Sequence, residues 1–504
     1  MNSFPASAKQ FGYLRVCVTR GLLVIQILSV RVIAVICALS LHLGLMPSYA
    51  FICPLPYPYH AFHASSLLSL PHHSYIAEHS FTPVSSQISG APPGAQACTF
   101  DIATFHRTCS VLPSHKPWLV VQGKAGSFYI DHSHPFGASS ASSNAGMIAN
   151  AAVDIWEAEG VHPISKYEDD LKIFRFPSPS GLFSDGDFCY DYDTAEALNR
   201  ISPLGIPWHK DKCDDSFSFI TTFIGYLWDL PNKLVGLTEP KRNKFYRRVQ
   251  QFLDRFEGHP CQLLDVQKIH GSLCHVAFVY VEGRSHLPSL SNFTAKFPHN
   301  NEYATRFPPR SVITDLKWWL NALAIPNVTR QLRPRGITQD LHIFVDASTS
   351  WGIGIVLGDE WAAFRLSTSW KLEGRDICWL ETVAIELLVY FLEARNFHDI
   401  RLLIHSDNKG TIGALDKGRS RNHHINSSIR RTYAVLLPLF ITPELEYITS
   451  IANPADPISR GESGALGKQM FPSFQLPDEL QPCFTYVWTC SHGGQIHLSN
   501  MVVA

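Results

Sequence analysis

Acidic residues at the ends of predicted strands are the first group in this 504-residue sequence that could do chemistry. Asp101 lies at the end of the strand predicted at Cys98 to Ile102, and further along Asp169 and Asp170 lie in a predicted strand–turn–strand. Adjacent acids among apolar residues are costly unless a cation neutralises them. Two Mg²⁺ ions about 3.5–4 Å apart are the usual solution for phosphoryl transfer. The pattern therefore predicts nucleotidyl transfer that uses two Mg²⁺ or Mn²⁺ ions.

A second set of acids follows in the last third of the chain, again where predicted strands end beside helices. Carboxylates placed in this way can converge on one pair of Mg²⁺ or Mn²⁺ ions, which activates water against a phosphodiester. The pattern therefore predicts hydrolysis of a nucleic acid strand, with all four acids as catalytic metal ligands. The four are Asp346 after Ile343-Phe344-Val345, Glu381 on a helix, Asp407 at the end of Leu403-Ile404-His405-Ser406, and Asp456 in Asn453-Pro454-Ala455-Asp456.

Glu386 is the alternative acid on the helix predicted over Leu380 to Glu393. It follows Glu381 by five residues and is about half a turn out of phase with it on a helix. Both carboxylates therefore cannot face the same site.

A turn, His134-Pro135-Phe136-Gly137, separates the two parts of the first acidic set, and its glycine lets a substrate come close to the backbone. In the order strand-Asp, Pro-Phe-Gly, helix and Tyr-x-Asp-Asp, these segments resemble the reverse transcriptase family. The resemblance is greatest to the fungal type encoded by DIRS-like, tyrosine-recombinase retrotransposons, and it runs from about Ala91 to Arg460.

This resemblance implies a role for each matching residue of the first set. Asp101 and Asp169 would be metal ligands with Asp170 as a supporting acid, and Lys212, in Gly205 to Cys213, would donate a proton to pyrophosphate. Contacts to template and deoxynucleoside triphosphate are implied for the matching loop and box, which contain Pro135, Phe136, Gly137 and Tyr167.

Two departures from the family concern the polymerase. His106 occupies the substrate-binding position where the family usually has a Tyr or Phe that excludes ribonucleotides, and Phe105 lies one position earlier. The basic fingers region expected before Ala91 is missing. We therefore expect polymerase activity to be impaired.

The second set resembles the ribonuclease H fold. The family pattern, an acid followed by Ala three residues later, selects Glu381 with Ala384 over Glu386. The resemblance implies an RNA–DNA hybrid as substrate, with two Mg²⁺ or Mn²⁺ ions bound by the four acids.

Net charge is close to zero, with 42 basic and 43 acidic residues, so any electrostatic contact with nucleic acid must be local. We expect Arg419 and Arg421, with Arg430 and Arg431, to contact phosphate. The twelve cysteines include no Cys-x-x-Cys pair, which favours a reduced intracellular protein, in cytoplasm or nucleus, without a structural metal.

The first 90 residues differ in composition, since no acid precedes Glu78 and Gly21 to Cys53 is strongly apolar. Arg31 and His42 interrupt the apolar stretch, which argues against a single membrane span near residues 21–53; a signal anchor or membrane helix there is the alternative interpretation. We expect this leader to lie outside the fold.

The sequence thus predicts an α/β and α+β multidomain protein with a palm, a helical thumb and connection, and a ribonuclease H-like domain. The predicted parts are a leader (1–90), the palm (91–233), the thumb and connection with a basic helix from Leu234 to Asp265 (234–330), the ribonuclease H-like domain (331–461) and a tail (462–504). The predicted function is that of a retrotransposon reverse transcriptase with ribonuclease H activity. The alternative is an inactive relic that at most binds nucleic acid. No recombinase signature occurs in the tail, so an element-encoded recombinase would be a separate partner.

Overall fold

The computed structural model describes residues 84–124, 126–137, 140–301 and 303–489, together with the backbone of short strands at 13–17, 50–54 and 495–498. The predictions for the leader lie almost entirely outside these residues. The chain divides into two units, Met1–Leu234 and Val235–Ala504. In the described part of the chain, no helix has both the length and the apolar character needed to cross a membrane.

The first unit contains strands and helices in the following order. They are β1 (Tyr13–Cys17), β2 (Ala50–Pro54), α1 (84–89), β3 (Gln96–Asp101), β4 (Val120–Gln122), β5 (Phe128–Ile130), α2 (Ala141–Ala158), β6 (Ile164–Tyr167), β7 (Asp170–Arg175), β8 (Phe183–Asp185), β9 (Phe188–Tyr190), α3 (Thr194–Arg200), β10 (Ile220–Phe223) and β11 (Tyr226–Asp229).

An antiparallel sheet of three strands, in the order β3–β7–β6, forms the centre of the first unit. Every residue of β3 is buried, and α2 packs its small residues toward the sheet through Ala145, Ala149 and Ala152. Phe100 of β3 contacts Trp156 of α2, with ring centroids 5.9 Å apart. This core fixes the end of β3, which carries Asp101.

The end of the leader is part of this unit, contrary to the predicted boundary at residue 90. Val84 and Ile88 of α1 are fully buried. The side chain of Gln87 donates to the carbonyl of Ile164 (3.2 Å) and accepts from the hydroxyl of Ser165 (2.7 Å). Residues 84–90 therefore pack against β6.

The second unit follows with its own strands and helices. They are β12 (Leu234–Leu237, across the boundary), α4 (Glu239–Phe256), β13 (Cys261–Gln262), α5 (Leu263–Val276), α6 (Pro288–Thr294), β14 (Thr305–Arg306), α7 (Arg310–Ala324), β15 (Thr329–Gln331), β16 (Gln339–Ala347), β17 (Gly352–Leu357), β18 (Glu360–Leu366), α8 (Ile377–Ala394), β19 (Arg401–Ser406), α9 (Lys409–Asp416), α10 (His423–Leu436), β20 (Thr442–Tyr447), α11 (Ala455–Ser459), β21 (Phe484–Thr489) and β22 (Gln495–Leu498).

The helix predicted from Leu234 to Asp265 was wrong in extent. The structure divides this segment into β12, α4, β13 and the start of α5. Pro240 lies at the start of α4, where its missing N–H costs nothing, and Gly258, with a φ of 79°, follows the helix. Proline and glycine therefore set both ends of α4.

Seven strands form the sheet of the second unit in the order β20–β19–β16–β17–β18–β21–β22. β19 runs parallel to β16 and to β20, whereas β17, β18, β21 and β22 join antiparallel. α8 covers this sheet and is buried almost all round from Trp379 to Leu392. The mixed α/β class predicted from the sequence is confirmed.

The predicted tail contributes to this sheet and its core, so the structure differs from a domain that ends at residue 461. β21 pairs with β18, Phe364 opposite Tyr486. Met470, Leu480 and Phe484 are buried in the same hydrophobic core as α8. Sequence reasoning missed this strand because it follows a stretch rich in Pro and Gly.

Candidate functional site

Two neighbouring parallel strands and a helix place three acids of the second set together. Asp346 lies near the end of β16, and Asp407 directly follows β19, so both lie at the same edge of the sheet. Glu381 lies in the second turn of α8, which packs on β16. One carboxylate oxygen from each of the three lies within 4.8 Å of the other two.

The hydrogen bonds of these carboxylates leave one buried oxygen without a partner. The Oε1 atom of Glu381 accepts from the backbone N–H of Ala347 (3.2 Å), but its Oε2 atom is buried and accepts no hydrogen bond. Asp346 accepts from the hydroxyl of Ser459 (2.5 Å), and Asp407 accepts from the hydroxyl of Ser450. An unsatisfied buried carboxylate oxygen is costly unless a cation or donor is bound there.

Burial and nearby negative charges disfavour the charged forms of Glu381 and Asp346. Burial, with the nearby charges of Asp346 and Asp407, raises the pKa of Glu381 to about 9. Burial also raises the pKa of Asp346 to about 6, against the hydrogen bond from Ser459, which lowers it. Hard divalent cations such as Mg²⁺ bind carboxylate oxygens. The donor set and the unpartnered oxygen of Glu381 therefore fit such an ion.

Asp456, the fourth acid of the predicted set, is held by a different partner. The guanidinium of Arg460 donates through Nε and Nη2 to its two carboxylate oxygens, at 2.9 and 2.8 Å. This ion pair lowers the pKa of Asp456. The structure therefore brings three of the four acids into one group and leaves Asp456 beside it, on Arg460.

A glycine allows the short helix α11 to pack closely enough to bring Asp456 near the other acids. A Cβ atom at Gly354 of β17 would lie 2.5 Å from the carbonyl of Ala455 and 2.7 Å from the backbone N of Ser459. Any larger residue would therefore push α11 away from the sheet.

Glu386 lies outside the group of three acids. It is fully buried and accepts from Arg431 (2.6 and 3.0 Å), Tyr390 (2.8 Å) and Ser428 (2.6 Å). These four hydrogen bonds satisfy its carboxylate within the core. The structure therefore places Glu381, and not Glu386, beside Asp346.

The first acidic set is arranged by strand register. Asp101 and Asp170 are directly opposite each other in the antiparallel pair β3–β7, and Asp169 occupies the preceding turn. The Nζ atom of Lys212 donates to Asp101 (2.9 Å). Burial and the charges of Asp169 and Asp101 raise the pKa of Asp170 to about 6. Lys212, a residue of the same chain, thus provides the positive charge next to Asp101.

The predicted substrate loop lies near His106. The Nε2 atom of His106 is 3.1 Å from the hydroxyl of Ser142, and its ring lies edge-on to that of Phe136, with centroids 5.2 Å apart. Phe136 is 88% exposed, Pro135 is half-buried, and Gly137 has a φ of 90°, which favours glycine. His106 and the loop therefore lie together.

Tyr167 ends β6 beside the acidic turn and is 36% exposed. Burial and the neighbouring charges of Glu168, Asp170 and Asp169 raise the pKa of its hydroxyl. Glu168 follows with a φ of 51°, an uncommon conformation for a side chain larger than glycine. The turn therefore holds Tyr167 next to both aspartates.

Two of the four arginines that were predicted to contact phosphate form contacts within the protein instead. Arg430 donates to the carbonyl of Ser285 (2.7 Å) and to Asp315 (2.9 Å), and Arg431 forms the ion pair with Glu386. They hold the helices together, which corrects the prediction. Arg421 is exposed, with its carbonyl accepting from Asn292 (3.3 Å), and Arg419 is half-buried.

Sequence reasoning missed three residues around the second set. Asn453 donates to the carbonyl of Val345 (3.0 Å), Ser459 bonds Asp346, and Arg460 bonds Asp456. All three lie within four residues of Asp456 along the chain, so the polar residues around it were the available signal.

No protein-family model matches this sequence, and no curated protein does. Among solved structures, the chain is similar to the foamy viral protease-reverse transcriptase in three complexes. With the form called dRH bound to double-stranded DNA, it shares 14% identity at a TM-score of 0.36, covering 75% of this chain and 60% of that chain. With the RNA/DNA hybrid complex, the identity is 13% and the TM-score 0.37, covering 83% of this chain and 55% of that chain. With a further dsDNA complex, the identity is 14% and the TM-score 0.34, covering 79% of this chain and 75% of that chain. The chain thus spans less than two thirds of the first two structures.

Proposed function

We propose that this chain hydrolyses the RNA strand of an RNA–DNA hybrid, as the ribonuclease H part of a retrotransposon reverse transcriptase. The observation that carries the proposal is the buried group of Asp346, Glu381 and Asp407, with the unpartnered Oε2 atom of Glu381 inside it. Mg²⁺ or Mn²⁺ bound there would supply an activated water and stabilise charge at the phosphodiester.

The chain's own residues would bind and orient the components of this site. Ser459 and Asn453 fix the carboxylate of Asp346, and the N–H of Ala347 fixes one oxygen of Glu381. Ser450 holds Asp407 at the end of β19. Because these contacts are made by the folded chain, the three carboxylates are positioned before a cation binds.

The experiment is cleavage of a labelled RNA–DNA hybrid by the full chain at low salt, with Mg²⁺ or Mn²⁺. Asp407→Asn would remove a metal ligand and should lower the cleavage rate by more than about 100-fold. Even the loss of a residue that only hydrogen-bonds to a metal ligand lowers metal affinity or activity by roughly 10–100-fold. Asp340→Asn, on the exposed end of the same β16 strand that carries Asp346, is the matched control and should cut normally.

An inactive relic is the competing proposal, and the same experiment separates the two. A wild-type chain that is folded, binds the hybrid and leaves it intact with either metal would favour the relic. Cleavage that persists in Asp407→Asn would show that another site, or a contaminant, does the cutting.

A second candidate function is RNA-directed DNA synthesis from deoxynucleoside triphosphates at Asp101, Asp169 and Asp170. The register that places Asp101 opposite Asp170 favours it. We expect weak extension of a primed RNA template at most, because residues 1–90 contain only four Lys or Arg residues that could bind a triphosphate. Any extension should disappear in Asp169→Asn and persist in Asp154→Asn, a carboxylate on α2. Extension that survives Asp169→Asn would contradict this assignment.

A further inference from the structure

The ion pair between Arg460 and Asp456 keeps both oxygens of Asp456 engaged. Each oxygen accepts one N–H of the same guanidinium, at 2.8 and 2.9 Å. Such fork-like pairing is stronger and more directional than a pair with lysine. Asp456 is absent from the group formed by Asp346, Glu381 and Asp407, although its charge contributes to the raised pKa of Asp346 and of Glu381.

The backbone that carries Asp456 is fixed to the sheet. Ser459 bonds Asp346, Asn453 bonds the carbonyl of Val345, and α11 lies against Gly354 with no room for a Cβ. A helix held at both ends cannot shift its position without breaking these contacts. Whether Asp456 faces Arg460 or the other three acids is therefore decided by rotation of its side chain.

Arg460 lies on the solvent side of this pair. Its side chain is 57% exposed, against 22% for Asp456. Guanidinium binds phosphate with the same bidentate geometry that it uses for carboxylate. A backbone phosphate of a nucleic acid, which like a carboxylate carries one negative charge over two oxygens, would compete with Asp456 for Arg460 when it approaches from solvent.

We propose that Arg460 is a positioning residue, which holds Asp456 away from the other three acids until a nucleic acid phosphate takes its place. Asp456 then turns toward Asp346, Glu381 and Asp407 and completes a site for a further divalent ion. This inference rests on the proposed ribonuclease function. Its consequence is that full metal loading depends on nucleic acid, so that free protein binds fewer ions than the complex.

The experiment counts bound Mn²⁺ with and without the hybrid. Binding is measured as the decrease in the electron paramagnetic resonance signal of free Mn²⁺. All variants carry Asp169→Asn in the full chain, so that the first acidic set contributes equally. The probe is DNA paired with 2′-O-methyl RNA, which resists hydrolysis, and its own Mn²⁺ binding is subtracted. The reference protein should bind a further ion only with this hybrid. Arg460→Gln should bind that ion without the hybrid, and Asp456→Asn should lack it under both conditions.

The control is Arg395→Gln, which breaks another arginine–carboxylate pair of the same unit, with Glu360 at 2.6 Å. It should behave as the reference protein. Arg460→Gln that gains no ion, or Arg395→Gln that gains one equally, would overturn the inference. If Asp346→Asn keeps every ion, the proposed function itself fails. Circular dichroism melting of each variant shows that it is folded, so that a lost ion reports the site and not the fold.

Discussion

The two acidic clusters of this chain both lie at the ends of strands, but they differ in how their negative charge is neutralised. Lys212, a cation of the chain itself, is bonded to Asp101 in the first unit. In the second unit, Asp346, Glu381 and Asp407 face one another, and a buried oxygen of Glu381 has no partner. The comparison indicates that the second cluster depends more on an external cation than the first.

The helix α8 carries one buried acid of each kind, one without a neutralising cation and one paired with an arginine. Glu381 is buried without a cation, whereas Glu386 is buried with Arg431. A group that the fold neutralises stabilises the fold, and a group left unneutralised is available for function at a cost in stability.

The largest expected effect comes from removing the internal cation. Arg431→Leu leaves Glu386 fully buried without its ion pair, so the free energy of unfolding should fall by about 3–5 kcal/mol. Urea unfolding measures it. Arg395→Leu, whose partner Glu360 is exposed, should cost under about 1 kcal/mol. Equal losses in the two variants would break the comparison.

The next effect is stabilisation by the external cation. A ligand at a hundred times its dissociation constant stabilises the folded state by about 2.7 kcal/mol, so Mn²⁺ should raise the melting temperature of the wild type. Asp346→Asn should lose most of this rise, and Asp169→Asn only a smaller part. A rise that depends mainly on Asp169 would reverse the assignment of the stronger site.

A buried lysine beneath the first cluster should make the first unit sensitive to pH. Lys172 of β7 is fully buried, donates to Thr221 (2.9 Å), and has its pKa lowered by burial to about 7. Between pH 7 and 10 the unfolded chain carries this proton and the folded chain does not. Stability should therefore rise with pH, by at most about 1.4 kcal/mol per unit.

Lys172→Met should remove this rise while leaving stability at pH 10 nearly unchanged, because a methionine fills a similar volume. Urea unfolding at several pH values measures it, and Lys116→Met, a substitution at a lysine that is not fully buried, is the control. If Lys172→Met keeps the wild-type slope, another group is responsible.

The smallest expected effect is that of Lys212. Its side chain is 56% exposed, against 8% for that of Asp101, so water reaches the pair from the lysine side and screens it. Lys212→Gln should change the free energy of unfolding by less than about 1 kcal/mol. A loss as large as that of Arg431→Leu would show that both clusters are built in the same way.

The sequence predicted the positions that depend on local pattern. The strand predicted at Cys98 to Ile102 overlaps β3, and the apolar run Ile343-Phe344-Val345 lies in β16, so the positions of Asp101 and Asp346 near the strand ends follow from local sequence. It also predicted that Glu381 and Glu386 face different directions, because helical periodicity alone decides this.

Features that depend on distant residues could not be read in this way. The pairing of Arg431 with Glu386 joins two helices, and Arg430 bonds Ser285 far away along the chain. Arg430 and Arg431 were predicted to contact phosphate because the sequence around them does not show their acidic partners, Asp315 and Glu386.

The strand β21 has a consequence for how the second unit can be isolated. It covers one edge of β18, whose N–H and C=O groups pair with it from Phe364 to Leu366. A protein cut at residue 461 would expose that edge together with the buried rings of Trp379 and Phe364. Unpaired apolar edges recruit strands from other molecules. Such a fragment should aggregate, and its insolubility would be mistaken for a defect of the active site.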